Sequence, residues 1–382
     1  MRYLTSRLER DLKSKPVLLS GPRQVGKSTL ARELVAKVQG VYLNWDVRKD
    51  KTLIRQAAWP KDARLVVLDE LHKLQKWKNF LKGIVDEFDN SPPLLVTGSA
   101  RLEVLRRGGD ALTGRTYHYR LHPIDVAEAA SFTPDLSPDA RADRLLQAGG
   151  FPESYLDPRD APRLLNDRLE VVVREDLRDL SRTSAVHSID VLVELLRERV
   201  GSRISYSNLA GDLSVSMPTA KSWVELLERL YLVFLVHPYS RGLARSLRKE
   251  PKVYFFDCSA AHDEHGARLE NLVACALLKH CQFAHDAHGR DLRLHYFRDR
   301  EGREVDFVVT EGKKVLWLIE VKSEHADLHR PLSYLRERLA PVEAIQVVKK
   351  LEGRREVSGV RIVPLAEWLD RLPSRLGRKP AR

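Results

Sequence analysis

Residues 21–29 read GPRQVGKST and follow the apolar run PVLLS. A glycine-rich turn between a buried strand and a helix leaves few folds open. Gly21, Gly26, Lys27 and Ser28 meet the spacing G-x-x-x-x-G-K-[ST]. Glycines at those positions let the backbone curl so that its N–H groups face an anion. PVLLS has the pattern of a buried strand, and KSTLARELVAKV that of a helix whose N-terminus meets the anion. The lysine then reaches the β- and γ-phosphates of a nucleotide, and the serine hydroxyl ligates magnesium. The expected ATP cradle is therefore Gly21, Pro22, Arg23, Gln24, Val25, Gly26, Lys27, Ser28 and Thr29, in an α/β fold built on a parallel sheet.

A second apolar run, RLVVLDELHKL, ends in Asp69 and Glu70. A parallel strand that ends in two acids brings carboxylates to the phosphate edge of such a sheet. Asp69 is expected to hold magnesium and Glu70 to polarise the attacking water; the other reading is a helix N-terminus that favours acids. A third run, PLLVTGSA, ends in Thr97, Gly98 and Ser99, where hydroxyls at Thr97 and Ser99 can sense the γ-phosphate. LTGRTYHYRLHPID then carries Arg115. An arginine there acts on a neighbour's nucleotide if the chain assembles, or forms a surface ion pair if it does not.

GPRQVGKST, VVLDELHKLQKWKNFLKGIVDEF, VTGSA and LTGR…LHPID, followed by AGGFPE at residues 148–153, resemble in content and order a group of prokaryotic AAA+ ATPases with a poorly characterised C-terminal domain. The resemblance implies a sheet in which the Thr97 strand lies between the Gly21 strand and the Asp69 strand. It also implies ATP and Mg²⁺ as cofactors and a homo-oligomer, a ring in many relatives.

The middle of the chain reads as two parts. Residues 141–200 are rich in leucine, arginine and acids at helical spacing, and RLLNDRLEVVVREDLRDL is one candidate helix. Farther on comes ISYSNLAGDLSVSMPTAKSWVELLERLYLVFLVHPY. There Ser216 caps a helix that tolerates Pro218 in its first turn, and Trp223, Leu226, Leu227 and Leu230 form a core stripe. Two helices, a strand, the basic loop SRGLARSLRKEPK and the strand KVYFFD describe a winged helix. Its DNA contacts are expected at Lys221 and at the wing residues Arg241, Arg245, Arg248 and Lys249. A winged helix used for protein packing is the alternative.

REVDFVVTEGKKVLWLIEVKSE raises a second chemical question. Glu320 and Lys322 are two apart on one strand and share a face, with Asp306 on the preceding strand. Asp306 and Glu320 can ligate a divalent cation, while Lys322 positions water for phosphodiester cleavage. The run of elements from ARLENLVACALLKHC to EAIQVV resembles the PD-(D/E)xK nuclease fold, and Glu270 matches the additional acid of some members. Such a fold either cuts DNA or serves as a platform that grips it.

The net charge of +12 fits an acidic partner such as DNA. Cys258, Cys275 and Cys281 lack zinc or disulfide-framework spacing. No apolar run reaches membrane length, so no membrane partner and a cytoplasmic location are expected. The expected domains are an ATPase core at 1–130, a helical bridge or lid at 131–200, a winged helix at 201–257 and a nuclease-like α/β domain at 258–382. Together they suggest a DNA-directed ATPase that remodels branched or broken DNA. A regulatory ATP switch gating a protein or defence assembly is the alternative, and a metal-dependent nuclease with structural ATP a third reading.

Overall fold

The computed structural model describes residues 2–98, 112, 114–172, 186–240, 249–262, 266–324, 327–339 and 342–373. The chain divides into two compact units, Met1–His122 with Arg229–Tyr231, and Pro123–Glu228 with Leu232–Arg382.

The first unit is built on β1 (Val17–Ser20), β2 (Val41–Asn44), β3 (Val66–Asp69), β4 (Leu94–Thr97) and β5 (Tyr117–Arg120), in the order β2-β3-β4-β1-β5. Every pair is parallel. β1, β3 and β4 are buried along their whole length, as strands covered on both faces must be. On one face Leu18, Val66, Leu68 and Val96 pack with Trp45, Ile54, Trp77 and Leu81. Helix α1 (Lys27–Val38) packs on β2, β3 and β4 and buries Leu30, Ala31 and Leu34. The Thr97 strand lies between the P-loop strand and the Asp69 strand, as expected. Ser20, Asp69 and Thr97 thus share the carboxyl edge of the sheet, beside the point where the chain order reverses, which is where open α/β sheets bind ligands.

The second unit carries a mixed sheet. Its strands are β6 (Val233–Pro238), β7 (Lys252–Phe255), β8 (Leu292–Arg298), β9 (Glu304–Glu311), β10 (Lys314–Lys322), β11 (Glu343–Val348), β12 (Arg355–Val357) and β13 (Val360–Pro364). Their order is β12-β13-β11-β10-β9-β8-β6-β7. β8, β9 and β10 form an antiparallel meander, and β11 joins β10 in parallel. Before the sheet come α2 (Val186–Arg197), α3 (Tyr206–Asp212) and α4 (Met217–Arg229). The Thr219 N–H donates to Ser216 Oγ at 3.2 Å, and Trp223, Leu227 and Leu230 are buried. Single bridges pair Val200 with Val253 and Arg203 with Lys252, so β7 is held on two sides. The hairpin β6–β7 is continuous with the later strands, because His237 and Pro238 pair with His295 and Tyr296 of β8. Helices α5 (Ala267–His288) and α6 (Arg330–Leu339) complete the elements that matter for the site. Among the described residues no helix is long and apolar enough to cross a membrane.

The AGGFPE segment has a structural explanation. Gly149 ends the helix Pro138–Ala148 with φ +77°, and a Cβ there would lie 2.0 Å from Asp257 Oδ1. Asp257 is buried and ion-paired with Arg168, whose guanidinium lies 3.7 Å from the centre of the Phe151 ring and donates to Ser154 Oγ at 3.1 Å. Any side chain at 149 both strains the backbone and pushes the carboxylate off its arginine. Gly149→Ala should therefore cost about 3 kcal/mol, the range for breaking a buried pair. Thermal unfolding followed by circular dichroism should then show the midpoint lowered by about 6–12 °C; an unchanged midpoint would mean that Asp257 moves aside without loss.

Candidate functional site

In the first unit the loop after β1 is shaped by backbone that most residues avoid. Gly21 has φ +148°, Gln24 +59° and Gly26 +95°. A Cβ on Gly21 would lie 2.4 Å from the Leu121 carbonyl oxygen, so the loop approaches β5's exit too closely for a side chain. Arg2, itself buried, donates to the Val25 carbonyl at 2.7 Å and to the His122 carbonyl, fixing the loop from outside. Lys27 opens α1 with its side chain folded over the loop. Its ammonium donates to the carbonyls of Gly21 at 3.0 Å and Pro22 at 2.6 Å. A buried cation on a curled backbone at a helix N-terminus is the arrangement that receives polyphosphate.

The adjacent strand ends gather the other groups. Asp69 has no exposed surface. One of its carboxylate oxygens accepts from the Thr97 hydroxyl and the other from the Tyr42 hydroxyl. Burial first, and then Asp69, push the Tyr42 phenol up to about 12, while Arg32 and Ser28 act the other way. The Tyr42 hydroxyl thus braces Asp69, a role that the sequence reading missed. The hydroxyl and carboxylate oxygens of Ser28 and Asp69 are the hard donors that magnesium takes, and the buried Lys27 suits the phosphates it would accompany. Glu70 adopts φ +58°. Its carboxylate lies 3.3 Å from Lys73 Nζ and 3.6 Å from His72 Nε2, and Lys73 also reaches Asp46 at 2.5 Å. Arg115 is half-exposed and ion-paired with Asp86 of the helix Trp77–Phe88. Ser99 lies outside the described residues.

In the second unit the structure brings the predicted acids together and adds four residues that the sequence reading did not single out, Lys252, Tyr254, Glu304 and His329. The Asp306 N–H donates to Glu320 Oε2 at 3.3 Å, and the Val321 N–H to Asp306 Oδ2 at 2.9 Å, across the β9–β10 pair. Glu320 is buried, with Lys322 Nζ at 2.6 Å and His329 Nδ1 at 3.1 Å. Glu270, from α5, accepts from the Tyr254 hydroxyl at 2.5 Å and from Lys252 Nζ at 3.0 Å. Lys252 also lies 2.8 Å from Glu304 and 3.5 Å from Asp306. Burial, then Glu270 and Glu320, hold the Asp306 carboxyl well above the usual carboxylate range. Burial alone would lower the Lys252 ammonium, but Glu270, Asp306 and Glu304 outweigh it and raise it. Among the described residues no three carboxylates, imidazoles or thiols converge on one metal position. The carboxylates instead face N–H, ammonium and hydroxyl groups, and Glu270, Glu304 and Asp306 all turn to the Lys252 ammonium.

The expected DNA contacts are only partly described. Lys221 is exposed on α4 with Glu225 3.9 Å away, and Lys249 is exposed before β7. Arg241, Arg245 and Arg248 lie outside the described residues.

Comparison with known proteins fits this division. Residues 13–130 match the model of an AAA domain. Residues 140–269 and 265–368 match two domains of unknown function, DUF8612 and DUF4143. An uncharacterized protein of Mycobacterium tuberculosis and one of Mycobacterium bovis are each 26% identical over 268 residues, 68% of this chain and 58% of theirs. The chain thus spans under two thirds of the length of these relatives. An uncharacterized protein of Methanocaldococcus jannaschii is 23% identical over 332 residues, 71% of this chain and 69% of that one. Among solved structures, the Saccharomyces cerevisiae Hsp104–ADP complex aligns over 60% of this chain and 39% of its own at 15% identity; its TM-score of 0.31 carries no argument. The matched model, the parallel sheet and the loop geometry agree that residues 13–130 form an AAA-type ATPase module.

Proposed function

We propose that the chain hydrolyses ATP at the loop of residues 21–29 and uses that turnover to remodel branched or broken DNA. The observation that carries the ATPase part is the sheet order β2-β3-β4-β1-β5, which sets Lys27, Asp69 and Thr97 along one carboxyl edge. Lys27 leaves its carbonyls for the β- and γ-phosphates. Ser28 and Asp69 would hold magnesium, which when bound would supply positive charge to the phosphates. Thr97, with Ser99, senses the γ-phosphate, and Glu70 orients the attacking water once its carboxylate leaves Lys73. Arg115 exchanges Asp86 for the nucleotide of a neighbouring copy in an oligomeric ring.

In the second unit, α3, α4 and the hairpin β6–β7 act as a winged helix whose basic face meets the DNA backbone. The pocket of Glu270, Asp306, Glu320 and Lys322 resembles a nuclease centre. It grips DNA, and its acids, already compensated by side chains, favour gripping over free cleavage. ATP turnover measured against single strands, duplexes, forks and four-way junctions tests the proposal. Turnover should rise severalfold with branched DNA. Turnover indifferent to every DNA would leave the regulatory ATP switch as the better reading.

A further inference from the structure

We infer that Lys252 is the resident cation of the acidic pocket, its ammonium supplying to Glu270, Glu304 and Asp306 the positive charge that a divalent ion would have to bring in its absence. Its Nζ lies 3.0, 2.8 and 3.5 Å from those three carboxylates. An ammonium has three N–H donors and no acceptor, so three carboxylates use its full capacity. The side chain is 3% exposed, which leaves little water to screen the acids from one another. The strand that carries it is fixed as well. Lys252 pairs with Val236 on one side of β7 and bridges to Arg203 on the other. The pocket is also closed behind Glu270, where a Cβ on Gly201 would lie 3.0 Å from Glu270 Oε2.

The pocket therefore has two halves. Lys252 serves Glu270, Glu304 and Asp306, with Arg298 adding a 2.7 Å contact to Glu304. Lys322 and His329 serve Glu320. A divalent ion, if the pocket takes one, has only the Asp306–Glu320 side to enter. A paired-ion cleavage centre, which stabilises both the attacking and the leaving oxygen, is then closed to this chain as long as Lys252 is present. The inference rests on reading the pocket as nuclease-like, but its test needs neither DNA nor cleavage.

The experiment is a Mn²⁺ titration of the nucleotide-free full chain, read by the electron paramagnetic resonance of free Mn²⁺, together with thermal unfolding in EDTA and in Mn²⁺. Lys252→Met should bind one Mn²⁺ more than wild type. Its unfolding midpoint should fall in EDTA and recover in Mn²⁺. Adding Glu270→Gln and Glu304→Gln removes the repulsion, so the triple variant should bind no extra Mn²⁺ and should unfold in EDTA near the wild-type temperature. An equal Mn²⁺ count for wild type and Lys252→Met overturns the inference. If Lys252→Met does not fold, the triple variant decides: a folded triple variant supports the charge role, and one that also fails to fold shows that the lysine stem acts by packing and overturns it. Failure of the nuclease-like reading shows elsewhere, as DNA affinity unchanged in Glu320→Ala.

Discussion

The Glu70→Gln protein should bind ATP and turn it over about a hundredfold more slowly than wild type, the lower end of what a positioned base contributes. The substitution keeps the shape of the side chain and removes the negative charge that the proposed role requires to polarise the attacking water. Glu70 also sits in a left-handed backbone conformation directly after the buried Asp69, so its side chain springs from the carboxyl end of β3. The carboxylate rests 3.3 Å from Lys73, which itself bridges to Asp46. Losing that charge in the variant leaves Lys73 on Asp46 and does not touch Lys27 or the loop. Binding and turnover should therefore separate. Lys27→Ala should behave differently: it removes the ammonium now held by the Gly21 and Pro22 carbonyls, so ATP affinity itself should fall. Calorimetric ATP binding and phosphate release measured on both variants check the pair. Equal turnover by wild type and Glu70→Gln would remove Glu70 from its assigned role.

What the sequence could show of this architecture was local. PVLLS, RLVVLD and PLLVT are short apolar runs closed by functional residues, so strand, loop and chemistry lie within one window. The same holds for Asp306, Glu320 and Lys322, which share one hairpin. Residues whose roles depend on distant pairing were not legible. Tyr42 looks like an ordinary aromatic on an edge strand until the β2–β3 register sets Asn44 opposite Asp69 and brings the phenol to the carboxylate. Lys252 opens the apolar run KVYFFD, and nothing in that run names the acids of α5 and β9 that surround it. Arg2 reaches Val25 and His122 from a terminus that carries no motif. The joining of β6 to β8 was hidden for the same reason: two residue pairs make it, and register across an intervening strand and helix is set by packing rather than by turn chemistry.

Asp125, the last residue of the LHPID segment, should prove one of the costliest positions in the second unit. Its carboxylate is buried and accepts from the Glu128 N–H at 2.8 Å, capping the short helix Val126–Ala129. It also lies 2.9 Å from His280 Nε2 and 3.2 Å from Lys279 Nζ, both on α5. Lys279 is 1% exposed and has Glu128 at 2.6 Å and the Pro123 carbonyl at 3.3 Å. Asp125→Ala uncaps the helix and removes one of the two acids that balance a buried ammonium. Breaking such a pair costs about 3–5 kcal/mol, and for a unit of this size the unfolding midpoint should drop by about 6–20 °C. The pH dependence separates the charge from the cap. Burial would raise the Asp125 carboxyl, but Lys279 and His280 outweigh it and hold it well below the usual carboxylate range. Its contribution is therefore complete above the unfolded value of about 4 and is lost as pH falls from there toward the folded value. Asp125→Asn keeps an oxygen for the Glu128 N–H and loses only the charge. The gap in stability between wild type and Asp125→Asn should shrink as pH falls below about 4. Urea unfolding across that range measures it, and a gap that stays constant down to the acid end would assign Asp125 to capping alone.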